Sequence, residues 1–268
     1  MAPLTTALSL LLLSASTASA VTLDCENIIV DKQRFDLSPL GGPKTVHYLE
    51  RMPPSVSNTT YTLDICDKLP RTKGVPKSEE CPTGTQVCGI ETDYNPAEDK
   101  EIIRAVKPIA GEFSTSHGRP MDPVFERLKG GKSHGDSERE GLRVILNGGR
   151  YPFDDRNGQS QEAIIEFVCD RDVTGNEGFE DKERRRVKRD DDDDDDNEDG
   201  EGKLPDLDKG QSLQFVSYKT EGEDDDESGT LRLSWKTKYA CEGAADEPKE
   251  PKKGSKGSWG FFTWFLIM

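Results

Sequence analysis

The chain has 268 residues and a formal net charge of −16 at pH 7, and 33% of its residues are charged. An acidic surface repels the phosphate backbone, so a nucleic-acid partner is not expected. This composition also excludes a core spread over the whole length, and we expect one folded domain with polar segments attached to it.

The first twenty residues predict a secretory signal peptide, not a part of the fold. Residues 7–13 are apolar, and Ala18, Ser19 and Ala20 resemble a small-residue cleavage site. The apolar run is too short to span a bilayer. We therefore expect the lumenal domain to begin at residue 21 and to end at Cys241.

The number of cysteines is even, which in an oxidising lumen predicts three disulfides. Cys81 and Cys88 flank a turn-rich loop that would let them pair locally. The simplest pairing of the remainder joins Cys25 to Cys66 and Cys169 to Cys241. Zinc is the alternative, but the sequence has no C-x-x-C pair and no nearby pair of histidines.

The hydrophobic pattern predicts strands and no long helix. Apolar runs with strand character occupy residues 35–37, 45–49, 61–66, 102–109, 142–146, 163–168, 212–219 and 231–241. The run at 163–168 ends in Cys169, and its natural mate is the run at 231–241, which ends in Cys241. Residues 220–229 form an acidic connection between the last two runs and predict a hairpin tip. An all-β sandwich or flattened barrel is favoured.

Asn58, Thr59 and Thr60 form an N-glycosylation acceptor. The motif lies in a Ser/Pro-rich stretch just before the predicted strand at 61–66, where a loop would accommodate a glycan. We expect Asn58 to be glycosylated in a secretory protein, and the alternative is an unused motif.

Residues 177–208 predict a disordered acidic insertion. They include sixteen acidic and seven basic residues, a net charge of −9, and residues 190–196 are an unbroken aspartate run. Blocks of like charge repel one another and stay solvated. Calcium is an alternative ligand, but the run lacks the glycine turn of a calcium-binding loop.

A basic motif directly precedes the aspartate run. Residues 186–189 end in Lys188 and Arg189, and they resemble a site for dibasic processing proteases. Such sites lie in exposed, flexible loops. We therefore predict cleavage after Arg189, with the Cys169–Cys241 bridge keeping the two pieces together.

The C-terminal residues change from polar to apolar. Residues 242–257 are rich in Pro, Lys, Glu and Gly and predict a stalk, whereas residues 258–268 are aromatic and apolar. Eleven helical residues cover about 16 Å, roughly half of a hydrocarbon core. We interpret them as the start of a truncated transmembrane helix. A lipid-anchor signal, with Gly243, Ala244 and Ala245 as its small residues, is the alternative.

Nothing in the sequence predicts catalysis. His47, His117 and His134 lie in polar or loop-like settings, and nucleophile, metalloprotease and phosphate-binding motifs are absent. We therefore expect no enzyme activity, no cofactor and no metal.

Several of these segments resemble known families. Residues 61–66, the pair Cys81 and Cys88, residues 164–169 and residues 235–241 resemble a mannose 6-phosphate receptor homology domain. More narrowly, residues 35–43, residues 58–66 and the aromatic residues 259–265 resemble the fungal autophagy-related protein 27 family. The resemblance covers nearly the whole mature chain, except for the acidic insertion.

This resemblance implies a flattened β-barrel of two antiparallel sheets, sequential disulfides and a type I single-pass membrane protein. It implies vesicle cycling of autophagy membrane proteins and cytoplasm-to-vacuole transport. The implied locations are the Golgi apparatus, cytoplasmic vesicles and the preautophagosomal structure, with the mitochondrial membrane and the vacuole or endosome in addition. The family is also linked to phosphatidylinositol 3-phosphate. That lipid faces the cytosol, whereas the signal peptide places residues 21–257 in the lumen, so the lumenal domain is not expected to bind it.

The lectins among mannose 6-phosphate receptor homology domains bind sugar through a glutamine, an arginine, a glutamate and a tyrosine. At the matching positions this chain has Gly89, Glu162, Glu227 and Leu231. A carboxylate in place of the arginine inverts the charge and would repel a phosphosugar. Gln161 would take that place if the register slipped by one residue, which also flips the faces of the strand. We expect a vestigial sugar site. A lectin-type cargo receptor for mannose-containing glycans is the alternative function, and a lipid-anchored or secreted wall protein is a third.

Overall fold

The computed structural model describes residues 23–95, 97–98, 100–113, 119–130, 139–179, 210–222 and 227–246. In these residues the regular structure is β-strand with short 3-10 turns. The strands are β1 (Ile28–Val30), β2 (Gln33–Phe35), β3 (Lys44–Met52), β4 (Ser55–Leu63), β5 (Thr85–Asn95), β6 (Lys100–Gly111), β7 (Val124–Arg127), β8 (Gly141–Tyr151), β9 (Gln159–Cys169), β10 (Leu213–Glu221) and β11 (Ser228–Thr237).

The strands β3 to β11 form one sheet that curls almost into a closed barrel. Its hydrogen-bonded order is β10-β11-β9-β8-β6-β5-β4-β3, and β7 pairs with β8. Across the seam, the ring of Phe215 on β10 stacks on Tyr48 of β3 and Tyr61 of β4, with centroid distances of 4.7 and 5.3 Å. The predicted all-β, barrel-like fold is confirmed.

Three disulfides tie this barrel together. They join Cys25 to Cys66, Cys81 to Cys88 and Cys169 to Cys241, with Cα–Cα distances of 5.6, 6.4 and 4.6 Å. These distances lie in the range of roughly 4.4–6.8 Å that a disulfide allows. The pairing is the one expected from the sequence.

The two strands that end in cysteine are neighbours in the sheet, as predicted. They run parallel, and the pairing joins Ala163 to Leu231, Phe167 to Trp235 and Cys169 to Thr237. The predicted hairpin of β10 and β11 is also present and antiparallel. Because β11 lies between β9 and β10, the hairpin extends the sheet at the end beyond β9.

The core follows from the alternation of side chains along these central strands. On β9 the odd-numbered residues from Gln161 to Phe167 are buried, and on β11 Leu231, Leu233 and Trp235 are buried beside them. The rings of Phe167 and Trp235 stack at 5.4 Å. Because side chains alternate with a period of two, one face of each strand lies inside the barrel and the other lies outside.

Several strands extend beyond the runs that the sequence predicts. Strands β1, β5 and β7 have no predicted counterpart. Strand β4 begins at Ser55, so Asn58 lies within a strand and not in the loop expected for it. Strand β5 includes Gly89, Glu91 and Asp93, which are residue types that strands disfavour in isolation. Pairing with β4 on one side and β6 on the other overrides this local preference.

Several predicted features lie outside the described residues. They are the predicted signal peptide, the C-terminal apolar segment, His117, His134, Lys188 and Arg189. Most of the acidic insertion does too, but the described loop continues as far as Phe179, which packs in the core. Within the described part of the chain, no helix has the length and apolar character needed to cross a membrane.

Candidate functional site

A group of aromatic and polar side chains meets inside the barrel. We call it the tyrosine cluster, and its members are Tyr61, Glu91, Lys107, Tyr151, Gln161 and Tyr218. These residues come from β4, β5, β6, β8, β9 and β10, so six strands supply one side chain each. The cluster is the place where the curved sheet brings together polar groups that are distant in the sequence.

The charged pair of the cluster is Lys107 and Glu91, on neighbouring strands. The Nζ atom of Lys107 lies 2.8 Å from Oε2 of Glu91. The same ammonium lies 5.1 Å from the ring centroid of Tyr218 and 5.7 Å from that of Tyr151. A cation above an aromatic face is attracted by the ring quadrupole, so the two tyrosines help to hold Lys107 in place.

The second hydrogen bond of the cluster joins Tyr218 to Gln161. The hydroxyl of Tyr218 donates to Oε1 of Gln161 at 2.6 Å, and Gln161 is almost fully buried. Gly229 on β11 lies between them, and a Cβ atom there would come within 2.4 Å of the same oxygen. The missing side chain at Gly229 therefore leaves the room in which this contact forms.

Burial sets the protonation of the cluster. The pKa of Tyr218 is raised to about 12, chiefly because burial disfavours the phenolate, and Tyr151 and Glu91 add to the effect. Burial also raises the pKa of Tyr61 well above its usual value. Both phenols therefore stay neutral at physiological pH, and Tyr218 acts as the hydrogen-bond donor to Gln161.

Two of the four predicted sugar-site positions lie within the packed wall of the barrel. Gly89 on β5 lies under Tyr61, and a Cβ atom at Gly89 would come within 2.9 Å of Cε1 of that ring. Leu231 is fully buried on β11 and pairs with Tyr218 on β10 and with Ala163 on β9. The tyrosine nearest to the expected position is therefore Tyr218, one strand away from Leu231.

The other two predicted positions share a small cavity. Glu162 and Glu227 line a space of about 340 Å³, to which Arg119, Asp122 and Asn147 also contribute. Neither Gly89 nor Leu231 lines this space, so the structure does not bring all four positions together.

Within this cavity, Glu162 already has partners. Its Oε1 atom accepts hydrogen bonds from Oγ1 of Thr230 at 2.7 Å and from Oγ of Ser228 at 3.1 Å. The strand register thus gives Gln161 an inward position and Glu162 an outward one.

A second cleft lies on the outer face of β3, β4 and β5. Its volume is about 940 Å³, and Thr45, Thr62 and Ile90 are among the residues that line it. Arg71 and Glu80 lie on its side and pair with each other at 2.7 Å. The cleft shares no residue with the tyrosine cluster.

The described residues offer neither a catalytic pair nor a thiolate metal site. His47 contacts Oγ1 of Thr60 at 3.1 Å on the outer face, away from the tyrosine cluster. Glu140, Cys169 and Cys241 lie close enough together to share an ion. Both of these sulfurs are bonded in a disulfide, however, and a disulfide sulfur is not the thiolate that metals prefer.

Sequence reasoning missed Tyr218 because of an irregularity in β10. Leu213 and Phe215 alternate inwards, which would place residue 217 inside and residue 218 outside. A register shift between Phe215 and Ser217 exchanges the faces of residues 217 and 218, so Tyr218 points inwards. Val216, at the shift, is exposed. Single extra residues of this kind rarely have a sequence signal, although the aromatic residue itself was a hint.

Comparison with known proteins gives a consistent result. Residues 7–268 match the family model described as Autophagy-related protein 27. A protein of that name from Gibberella zeae is 39% identical, over 96% of this chain and 78% of the relative. A protein of the same name from Arthroderma benhamiae is 38% identical, over 97% of this chain and 80% of the relative. One from Yarrowia lipolytica is 33% identical, over 42% of this chain and 38% of the relative. The chain therefore belongs to the autophagy-related protein 27 family.

Proposed function

We propose that this protein is a type I single-pass membrane trafficking factor in autophagy and cytoplasm-to-vacuole transport. The observation that carries the proposal is family membership over nearly the whole chain, since relatives named Autophagy-related protein 27 are 38–39% identical across it. Membership supports an autophagy-related role. The single pass and the cycling of autophagy membrane proteins in vesicles are the finer parts of the proposal.

The interior chemistry of the barrel agrees with a protein-contact role. The polar groups of the tyrosine cluster bond to one another: Lys107 to Glu91, and Tyr218 to Gln161. Such groups stabilise the barrel without needing a ligand, because buried polar groups require partners. The outer surface of the domain is then the part that contacts other membrane proteins.

A rescue experiment tests the trafficking role. The full chain is expressed in a fungus from which the resident family member has been deleted, and the movement of a fluorescent autophagy membrane protein is followed. We expect its vesicle cycling to be restored. Normal cycling in the deleted strain, or no rescue by a correctly folded chain, would contradict the proposal.

A lectin-type cargo receptor is a second candidate, favoured by the tyrosine cluster. Its hydroxyl, amide and ammonium groups beside aromatic rings are of the kind that binds a polyol. A glycan array of the lumenal domain distinguishes the two functions, and we expect no reproducible mannose signal. If mannose does bind, Glu227→Gln and Tyr218→Phe, compared with the unchanged domain, show whether the small cavity or the cluster holds it.

A further inference from the structure

Asn58 lies at the centre of an outer sheet face, not in a loop. It is on β4, where it pairs with Leu49 of β3 and with Thr92 of β5, and Thr92 pairs with Ile103 of β6. Residues paired across antiparallel strands project from the same face of the sheet. Asn58 therefore has neighbours on three adjacent strands.

The polar residues His47, Arg51, Thr60 and Thr92 share this face with Asn58, and six apolar residues lie among them. We call these six apolar side chains the Asn58 face, and they are Leu49, Val56, Ile90, Tyr94, Ile103 and Val106. Each of them is half-buried or exposed, and Ile103 retains 37% of its accessible surface. A contiguous apolar patch on a soluble domain is normally covered by something.

The two polar atoms of the Asn58 amide lie in different surroundings. Its Oδ1 atom is withdrawn from solvent and has no hydrogen-bond partner among the described residues. Its Nδ2 atom lies 3.5 Å from Oγ1 of Thr60, the hydroxyl residue of the acceptor motif. The residue as a whole is half-buried.

We propose that Asn58 carries an N-linked oligosaccharide whose first sugars lie over the Asn58 face and shield it. In the transfer, a bond forms between Nδ2 and C1 of the first sugar as the bond from C1 to the pyrophosphate oxygen of a polyprenyl-pyrophosphate donor breaks. The leaving pyrophosphate takes the bonding electron pair, and the amide gives up one proton. The second amide proton remains, so the contact with Thr60 is retained.

A glycan fits this position better than a second protein does. Cross-strand neighbours have Cβ atoms roughly 4.5–5.5 Å apart, so the first sugar lies directly above Leu49 and Thr92. A glycan is bulky and solubilising, and one attached at the centre of the face would obstruct a protein that docked there. The acceptor motif therefore identifies the occupant of the face.

The first experiment measures whether Asn58 carries a glycan in the full chain. The chain is expressed in a fungal host and recovered from the cells or from the medium. We expect endoglycosidase treatment to increase gel mobility by one glycan, and we expect no change for Asn58→Gln or Thr60→Ala. Thr60→Ser keeps the acceptor motif and is the matched control. If endoglycosidase treatment does not change the gel mobility of the protein without substitutions, the proposal is overturned.

The inference rests on the lumenal location contained in the proposed function. A second glycosylation motif, introduced by mutation, tests the location separately from the glycan at Asn58. Gln159→Thr makes the exposed Asn157 an acceptor, because Gly158 already lies between them. If Asn157 is glycosylated and Asn58 is not, the domain is lumenal and the inference about Asn58 is wrong. If neither is glycosylated, the lumenal location itself is wrong.

The second experiment measures shielding. We expect the glycan-free variants Asn58→Gln and Thr60→Ala to bind a fluorescent hydrophobic dye about twofold more strongly than Thr60→Ser, since a contiguous apolar patch becomes accessible. Adding Ile103→Thr should remove most of the increase. Ile29→Thr, at an isoleucine with 63% exposure on the separate β1–β2 hairpin, should not. Equal dye binding with and without the glycan would show that the glycan does not cover the face.

Discussion

Tyr218 and Gln161 are hydrogen-bonded at 2.6 Å although they lie on β10 and β9, which are separated by β11. The contact crosses the intervening strand at Gly229, where no side chain obstructs it. It links the two strands that flank β11 and depends on the bulge that turns Tyr218 inwards. This bond is therefore sensitive to the correct assembly of the whole hairpin.

Replacing Tyr218 with phenylalanine should lower the free energy of unfolding by about 1–3 kcal/mol, because it leaves a buried oxygen of Gln161 without its donor. Chemical denaturation of the folded domain measures the change. Tyr239→Phe, at a tyrosine outside the cluster, is the control and should have a small effect. Equal effects of the two substitutions would show that the Tyr218–Gln161 bond has no special weight.

Alkaline pH should destabilise the domain through its buried phenols. The pKa of Tyr218 is about 12 in the folded state, whereas an unperturbed tyrosine has a pKa of about 10. Between these values the folded state binds more protons than the unfolded state, so stability falls as pH rises through this window. The absorbance of tyrosinate in the folded protein should show tyrosines that titrate at a higher pH than an unperturbed tyrosine. The variant Tyr218→Phe should have one fewer of these tyrosines. Titration of every tyrosine near pH 10 in folded protein would contradict this expectation.

Restoring a side chain at Gly89 should destabilise the barrel. A Cβ atom there lies 2.9 Å from the ring of Tyr61, so Gly89→Ala should cost about 1–3 kcal/mol through overpacking. Gly210→Ala is the matched control, because a Cβ atom at Gly210 has nothing within 4 Å. Denaturation curves compare the two. A neutral Gly89→Ala would mean that the Tyr61 ring moves aside easily and that the vestigial position is open.

Trp235 should be among the most sensitive residues of the core. It is fully buried, and its Nε1 atom donates to the carbonyl oxygen of Gly175 at 2.7 Å. Trp235→Ala should destabilise the domain by about 3–5 kcal/mol. Val216→Ala, at an exposed position on the neighbouring strand, should change stability little. Similar denaturation midpoints for the two variants would refute this assignment of the core.

Cleavage after Arg189 should yield two pieces that remain joined. The C-terminal piece would contain β10 and β11, and the Cys169–Cys241 bridge would connect it to β9. A reducing denaturing gel should therefore show two bands and a non-reducing gel one. Lys188→Ala combined with Arg189→Ala should give one band on both. One band on both gels for the unchanged protein would exclude the cleavage.

Much of the architecture was predictable because it depends on local patterns. Continuous apolar residues before Cys169 and alternating ones before Cys241 identified the two neighbouring core strands, and the cysteine spacing suggested the disulfides. The resemblance also predicted which positions correspond to the sugar-binding residues of the lectins. What it did not indicate was β5, whose glycine and acidic residues become a strand by pairing on both sides.

The sequence by itself indicated the all-β fold and the family of this protein, and it offered the cysteine pairing that the structure has as the simplest of several. The tertiary structure decided which side of each strand faces the interior: Gln161 and not Glu162, Tyr218 and not Ser217, and Asn58 on an open sheet face. The physical reason is the two-residue period of a strand. A shift of one residue in the strand register, or one bulge, exchanges the inward-facing and outward-facing side chains of the strand beyond that point. Only the pairing with neighbouring strands selects between the two arrangements.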